Sequence, residues 1–93
     1  MSESVLERPV YATDGYKPFG AFTLRDVEMR ARELRNATGW GPTARVGAVA
    51  RAWSELAQVM GRAGAATVGD LGVDRAGEFA ARLWVIPPGG GFL

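Results

Sequence analysis

The chain has 93 residues, 47% of them hydrophobic, and eleven basic against ten acidic side chains leave a net charge of +1. It contains neither cysteine nor histidine, which excludes disulfides, thiol nucleophiles and thiolate metal sites and removes the commonest general base. Such a length makes one domain near the lower end of what folds alone, and the balanced charge lacks the basic excess that nucleic-acid binders gather on one face.

The first residues, Met1-Ser2-Glu3-Ser4, show no basic region followed by an apolar stretch, so no signal peptide is expected. No apolar run approaches bilayer-spanning length, and a cytoplasmic protein without membrane insertion is the expectation. Residues 1–22 read as an extended N-terminal arm. Within it, Asp14-Gly15 separates Val10-Tyr11-Ala12-Thr13 from Tyr16-Lys17-Pro18-Phe19. Both turn positions tolerate positive φ, as a two-residue hairpin requires. Pro18, however, removes a ladder donor and confines any such hairpin to an edge. An extended arm with one turn is therefore the expected form.

A helical domain is expected over residues 23–86, with helices at about 24–37, 43–60 and 75–84. Thr23 suits the first N-cap, with Asp26 three residues on. Leu24, Val27, Ala31 and Leu34 then share one face, while Asp26/Arg30 and Glu28/Arg32 offer acid-before-base pairs on the others. Gly39 can stop this helix in the left-handed conformation, and Trp40-Gly41-Pro42-Thr43 makes a short turn. Val46, Val49, Trp53, Leu56 and Met60 repeat at 3-4-3-4 spacing, the clearest periodicity in the chain. Ala44, Ala48 and Ala52 run beside that stripe. A short link makes two such helices antiparallel neighbours. The second is expected to end near Gly61, or later at Gly64. Thr67 and Asp70 frame a single helical turn through Leu71. Asp74 is the expected cap of the third helix, whose Phe79 and Leu83 point inward with Ala76 and Ala80 beside them. Pro87 closes the domain, and residues 87–93 form a Pro/Gly-rich apolar tail. The expected fold is all-α: a small three-helix domain with one short extra helical turn and extended N- and C-terminal arms.

Catalysis finds little support. Asp26, Glu28, Glu33, Glu55, Asp70, Asp74 and Glu78 fall at helix caps or on solvent faces, where carboxylates stabilise helix starts or pair with arginine. None has the burial or like-charge neighbour that tunes a catalytic pKa. Gly89-Gly90-Gly91 precedes no helix and Gly39-Trp40-Gly41 follows no strand, so neither is a phosphate loop. No calcium-type ladder of oxygen ligands is present. The sequence implies no enzyme, cofactor, metal or small-molecule substrate.

Arg45, Arg51 and Arg62 lie on or just after the second helix, as a helix-turn-helix protein would allow. Gly64 to Leu71 also resembles the first part of helix-hairpin-helix modules over eight residues, without the matching hairpin glycines. The third helix opens with Arg75 followed by Ala, Gly, Glu and Phe, a poor set for reading base edges. A small helical regulator binding DNA or the transcription machinery is thus the alternative, not the main expectation.

The ends carry the functional expectation. Disordered tails are normally polar, because exposed apolar groups forfeit the burial that offsets chain entropy. Here Tyr11, Tyr16, Phe19 and Phe22 stand at one end. Trp84, Ile86, Pro87, Pro88, Phe92 and Leu93 stand at the other, and Trp40 sits in a turn between glycines. Either the tails fold back over their own helices or at least one wraps a partner, and these eleven residues are the expected partner contacts. The expected function is non-catalytic: a small accessory or assembly subunit, or a self-associating scaffold, docking through its helical face and apolar arms. The Ala, Gly, Arg and Val bias suggests a GC-rich bacterial source.

Overall fold

A computed structural model describes residues 4–12, 15–36 and 44–83. It corrects the all-α expectation. Three helices are present, α1 (Leu24–Arg35), α2 (Ala44–Ala63) and α3 (Val73–Leu83), but a two-stranded antiparallel sheet precedes them, β1 (Pro9–Ala12) paired with β2 (Gly15–Pro18). Short 3-10 turns at Val5–Glu7, Phe19–Ala21 and Val68–Leu71 link these elements.

The prolines that argued against a hairpin explain how it forms. The Phe19 N–H donates to the Arg8 carbonyl at 2.9 Å, so Arg8 and Phe19 are a hydrogen-bonded pair. Antiparallel pairs alternate, and the next pair, Pro9 opposite Pro18, falls where no inter-strand N–H is used. Two missing donors therefore cost the ladder nothing. Gly15, at φ +135°, supplies the backbone at the start of β2 that a side chain would resist.

The same segment corrects the extended-arm expectation. Val10, Ala12, Phe19 and Phe22 all belong to the buried core, and Phe19 and Phe22 have no exposed surface. Their rings lie 6.0 Å apart, and each meets Trp53 of α2, at 6.3 and 5.6 Å between centroids. Backbone bonding fastens the segment further. The Val68 N–H donates to the Phe22 carbonyl at 2.9 Å, and Thr23 bridges Thr67. Gly20 makes this closeness possible, since a Cβ there would stand 3.0 Å from Leu6 Cβ and 3.1 Å from the Leu6 carbonyl oxygen. A Cβ on Gly69 would in turn meet the Gly20 carbonyl oxygen at 3.1 Å.

The helices follow the sequence pattern. Thr23 and Asp26 form a reciprocal capping box, and Val27, Ala31 and Leu34 are buried. Val49, Trp53, Leu56 and Met60 give α2 its inward face, and α1 packs against that helix, with Arg35 donating to Ser54 Oγ at 2.8 Å. Helix α2 runs past Gly61 to the later stop. Gly64 takes φ +68°, Ala65 N–H reaches the Met60 carbonyl and Gly64 N–H that of Gly61. This pairing is the Schellman closure that satisfies two terminal carbonyls. The expected turn at Thr67–Leu71 is present, its Asp70 carboxylate accepting from the Ala66 and Thr67 N–H groups. Helix α3 begins earlier than expected. The Gly72 carbonyl accepts the first helical bond from Ala76, so Gly72 and not Asp74 occupies the cap, and Asp74 lies in the first turn. Ala76, Phe79, Ala80 and Leu83 face the core, and Arg82 ties α3 to Glu55 of α2 at 2.8 Å. Gly39, expected to stop α1, lies outside the described residues; α1 ends at Arg35 with Asn36 as its cap.

Two glycine substitutions should have opposite signs in urea denaturation. Gly20→Ala pushes against Leu6 side chain and backbone and should destabilise by about 1–3 kcal/mol. Gly77→Ala, in open space within α3, should stabilise by about 0.5–1 kcal/mol through helix propensity.

Candidate interaction surface

With the inner face of the hairpin committed to the core, the outer face is defined by register. Val10 and Ala12 point inward, so Pro9 and Tyr11 point outward on β1 and Tyr16 and Pro18 outward on β2. Pro9 pairs with Pro18 and Tyr11 with Tyr16. Both are non-hydrogen-bonded pairs, whose side chains approach most closely. The result is two adjoining rows, one of prolines and one of tyrosines. The tyrosine rings meet edge to face at 5.5 Å and 74°, and the Arg30 guanidinium of α1 lies 5.2 Å from the Tyr11 centroid. Tyr11 remains 40% exposed and Tyr16 61%. Among the described residues these two and Val73 are the large apolar side chains left most exposed.

The face is firmly backed. Lys17, opposite Val10 on the inner side, runs its stem beside the buried Phe22 ring, with its ammonium 5.7 Å from the centroid and in direct contact with the Asp26 carboxylate. A long amphipathic side chain can cover apolar surface in this way while its charge stays near water. Asp26 thereby joins β2 to the start of α1. It accepts from the Thr23 N–H at 3.0 Å while its own N–H donates to Thr23 Oγ1 at 3.1 Å. Partial burial raises the pKa of this carboxyl. Lys17 and the Thr23 backbone and hydroxyl outweigh that and hold it below the ordinary value of 3.8. Asp26 is accordingly not paired with Arg30, as the helical spacing had implied; Arg30 bonds Glu33 at 3.2 Å.

Of the expected partner contacts, the structure brings Tyr11 and Tyr16 together on the surface. Phe19 and Phe22 are corrected: they fill the chain's own core, where no partner can reach them. Trp40, Trp84, Ile86, Pro87, Pro88, Phe92 and Leu93 lie outside the described residues. Pro9, Pro18 and Arg30 were missed. The signal for the prolines was their symmetry about Thr13-Asp14, one four residues before Thr13 and the other four after Asp14.

Elsewhere, Val59, Arg62, Ala63, Asp70, Leu71 and Arg75 line an open groove where α2, the 68–71 turn and α3 meet. Its two arginines share the space with a carboxylate already engaged by backbone N–H groups. Among the described residues no three His, Cys, Asp or Glu side chains gather as a metal-binding group, and no helix is long and apolar enough to cross a membrane. Comparison with protein-family models, curated proteins and solved structures gave no match.

Asp26 should make stability fall in acid. A carboxyl whose folded pKa is lowered contributes its full stabilisation above its unfolded value and loses it as pH drops through the folded one. Asp26→Asn should therefore cost about 1 kcal/mol at pH 7, and its unfolding midpoint should converge with that of the parent chain as pH falls below 3.8. A gap that persisted at pH 2 would show that the carboxylate charge is not what stabilises this junction.

Proposed function

We propose that the protein is a non-catalytic protein–protein interaction module, a small accessory or assembly subunit, and that the outer face of its hairpin is the docking surface. One observation carries this reading: Pro9, Tyr11, Tyr16 and Pro18 stand together on the solvent side of strands whose other side is locked into the core. Rigidly held aromatic rings lose little conformational entropy on contact, and tyrosine adds a hydroxyl that can pair at the rim of an otherwise apolar contact. The same prolines shape how a partner is met. In a non-hydrogen-bonded pair, each residue's own N–H points away from the sheet, so Pro9 and Pro18 remove one outward donor from either edge. That discourages strand addition and favours recognition through side chains.

A photo-crosslinking residue placed at position 16 tests the reading. In the native host, position 16 should give a discrete adduct with one protein chain, identifiable by mass spectrometry. The same residue at Gln58, exposed on α2, should not. Tyr11→Ser/Tyr16→Ser, with its circular dichroism and melting temperature near those of the parent, should lose at least tenfold in affinity for that chain. Equal adducts from both positions, or none from position 16, would remove the hairpin as the docking surface.

A further inference from the structure

The groove between α2, the 68–71 turn and α3 carries two positive charges that the described chain does not answer. Arg62, in the last turn of α2, and Arg75, in the first turn of α3, both line it and are both exposed. Elsewhere Arg30 and Arg82 meet carboxylates and Arg35 meets a hydroxyl. Neither Arg62 nor Arg75 makes an ion pair or hydrogen bond with any described residue. Asp70 shares the groove, yet the Ala66 and Thr67 N–H groups hold its carboxylate at 2.9 and 3.2 Å, and it pairs with neither arginine. Two guanidinium groups against one carboxylate leave one positive charge in excess.

The walls limit what can bring the matching negative charge. Val59, Ala63 and Leu71 give the groove an apolar lining beside the arginines. Val59 and Leu71 are themselves half-buried against the core. The Gly72 N–H, donating to the Gly69 carbonyl at 3.1 Å, closes the turn that carries Leu71. The surface is thus formed before a ligand arrives, which lowers the entropic cost of binding. Its volume, 430 Å³, accommodates a few side chains. A free small molecule is held by burying most of its surface, which an open groove does not do. A segment of a larger partner needs less, because contacts made elsewhere by the same partner raise its local concentration. Charge selects the head group. A phosphate monoester brings nearly two negative charges against a single excess positive one, with Asp70 fixed in place to repel the surplus. A carboxylate matches that charge and accepts well from guanidinium forks.

We infer that this groove is a second binding site, separate from the hairpin face. Its ligand is a partner segment carrying an Asp or Glu side chain beside an aliphatic one. The carboxylate is held by Arg62 and Arg75, and the aliphatic group rests on Val59, Ala63 and Leu71. The site is built from other elements than the hairpin and stands whether or not the hairpin docks a partner. Exposed ion pairs are individually weak, so an isolated segment should bind with a dissociation constant of about a millimolar.

The test is a nuclear magnetic resonance titration of the isotope-labelled full chain with the peptide acetyl-Gly-Leu-Glu-Leu-Gly-amide, its Gln counterpart and inorganic phosphate. The Glu peptide should shift the Arg62 and Arg75 side-chain N–H resonances and the Val59 and Leu71 methyls. Arg62→Gln and Arg75→Gln should each weaken its binding about threefold, and the double variant, like the change from Glu to Gln in the peptide, about tenfold. Both arginines are exposed and unpaired, so the circular dichroism of these variants should match that of the parent. Arg51→Gln, exposed nearer the start of α2, and Tyr11→Ser/Tyr16→Ser should leave peptide binding unchanged. Equal affinity for the Glu and Gln peptides would overturn the inference, as would shifts confined to other surfaces. Absence of any shift at about ten times the expected constant would do the same. Tighter binding of inorganic phosphate than of the Glu peptide at these resonances would overturn the carboxylate assignment.

Discussion

The contact among Phe19, Phe22 and Trp53 holds the rest of the structure in place. Trp53 lies in the middle of α2, with Phe19 and Phe22 on a 3-10 turn and its exit, and the three rings meet at centroid distances of 5.6–6.3 Å. Burying three aromatic side chains contributes several kcal/mol in a domain whose net stability is of that order. The cluster also decides where the chain must go. With both phenylalanines fixed on α2, the hairpin before them is drawn over the start of α1, and Thr23 is placed to cap that helix. Residues 19–23 are likewise brought alongside 67–69, where Val68 and Thr67 close backbone contacts with Phe22 and Thr23. A 93-residue chain thus gains its core by enlisting a segment that carries no helical periodicity.

That arrangement gives the hairpin a division of labour. Its inner side carries Val10, Ala12 and the stem of Lys17, and its outer side carries the four tyrosine and proline side chains. An isolated two-stranded hairpin is marginal in water. Here α1 and the core beneath make it rigid, through the Lys17–Asp26 contact and the Arg30 guanidinium against Tyr11. Rigidity matters for the proposed role because preorganised anchors lose the least entropy when they dock. The paired prolines add to this. They sit where the ladder does not need their donors, and they deprive both edges of hydrogen-bonding capacity that stray strands would exploit.

Close backbone approach is the second constraint. Leu6, Gly20 and Gly69 stack so closely that a Cβ on either glycine would crowd a backbone oxygen at 3.1 Å, and the 3-10 turn at Val5–Glu7 lies against the one at Phe19–Ala21, which in turn lies against Val68–Leu71. Helix α3 covers the first and third of these turns. The region is held less by regular secondary structure than by three tight turns whose main chains touch, and α3 completes it with Phe79, Ala80 and Leu83.

Local chemistry was legible in the sequence. The Thr23/Asp26 capping box, the α2 stripe from Val49 to Met60, the Gly64 stop, the Thr67–Asp70 turn and the inward positions of α3 all arise from interactions within a few residues, so spacing alone determines them. The N-terminal quarter reads as an extended arm because its form depends on partners far along the chain. Phe19 and Phe22 sit among glycines and a proline, a composition that marks a loop, and only Trp53, more than thirty residues on, makes them core. Pro18 argued against a strand until its pairing with Pro9 placed both on the non-hydrogen-bonded side, and pairing parity is a property of two strands together, not of either one. The exposed aromatic character of Tyr11 and Tyr16 could be read from the chain, but tertiary packing alone decided that Phe19 and Phe22 would turn inward while the tyrosines and prolines turned outward. Burial is settled by what lies opposite a side chain, and a sequence specifies that only once the chain has folded back upon itself.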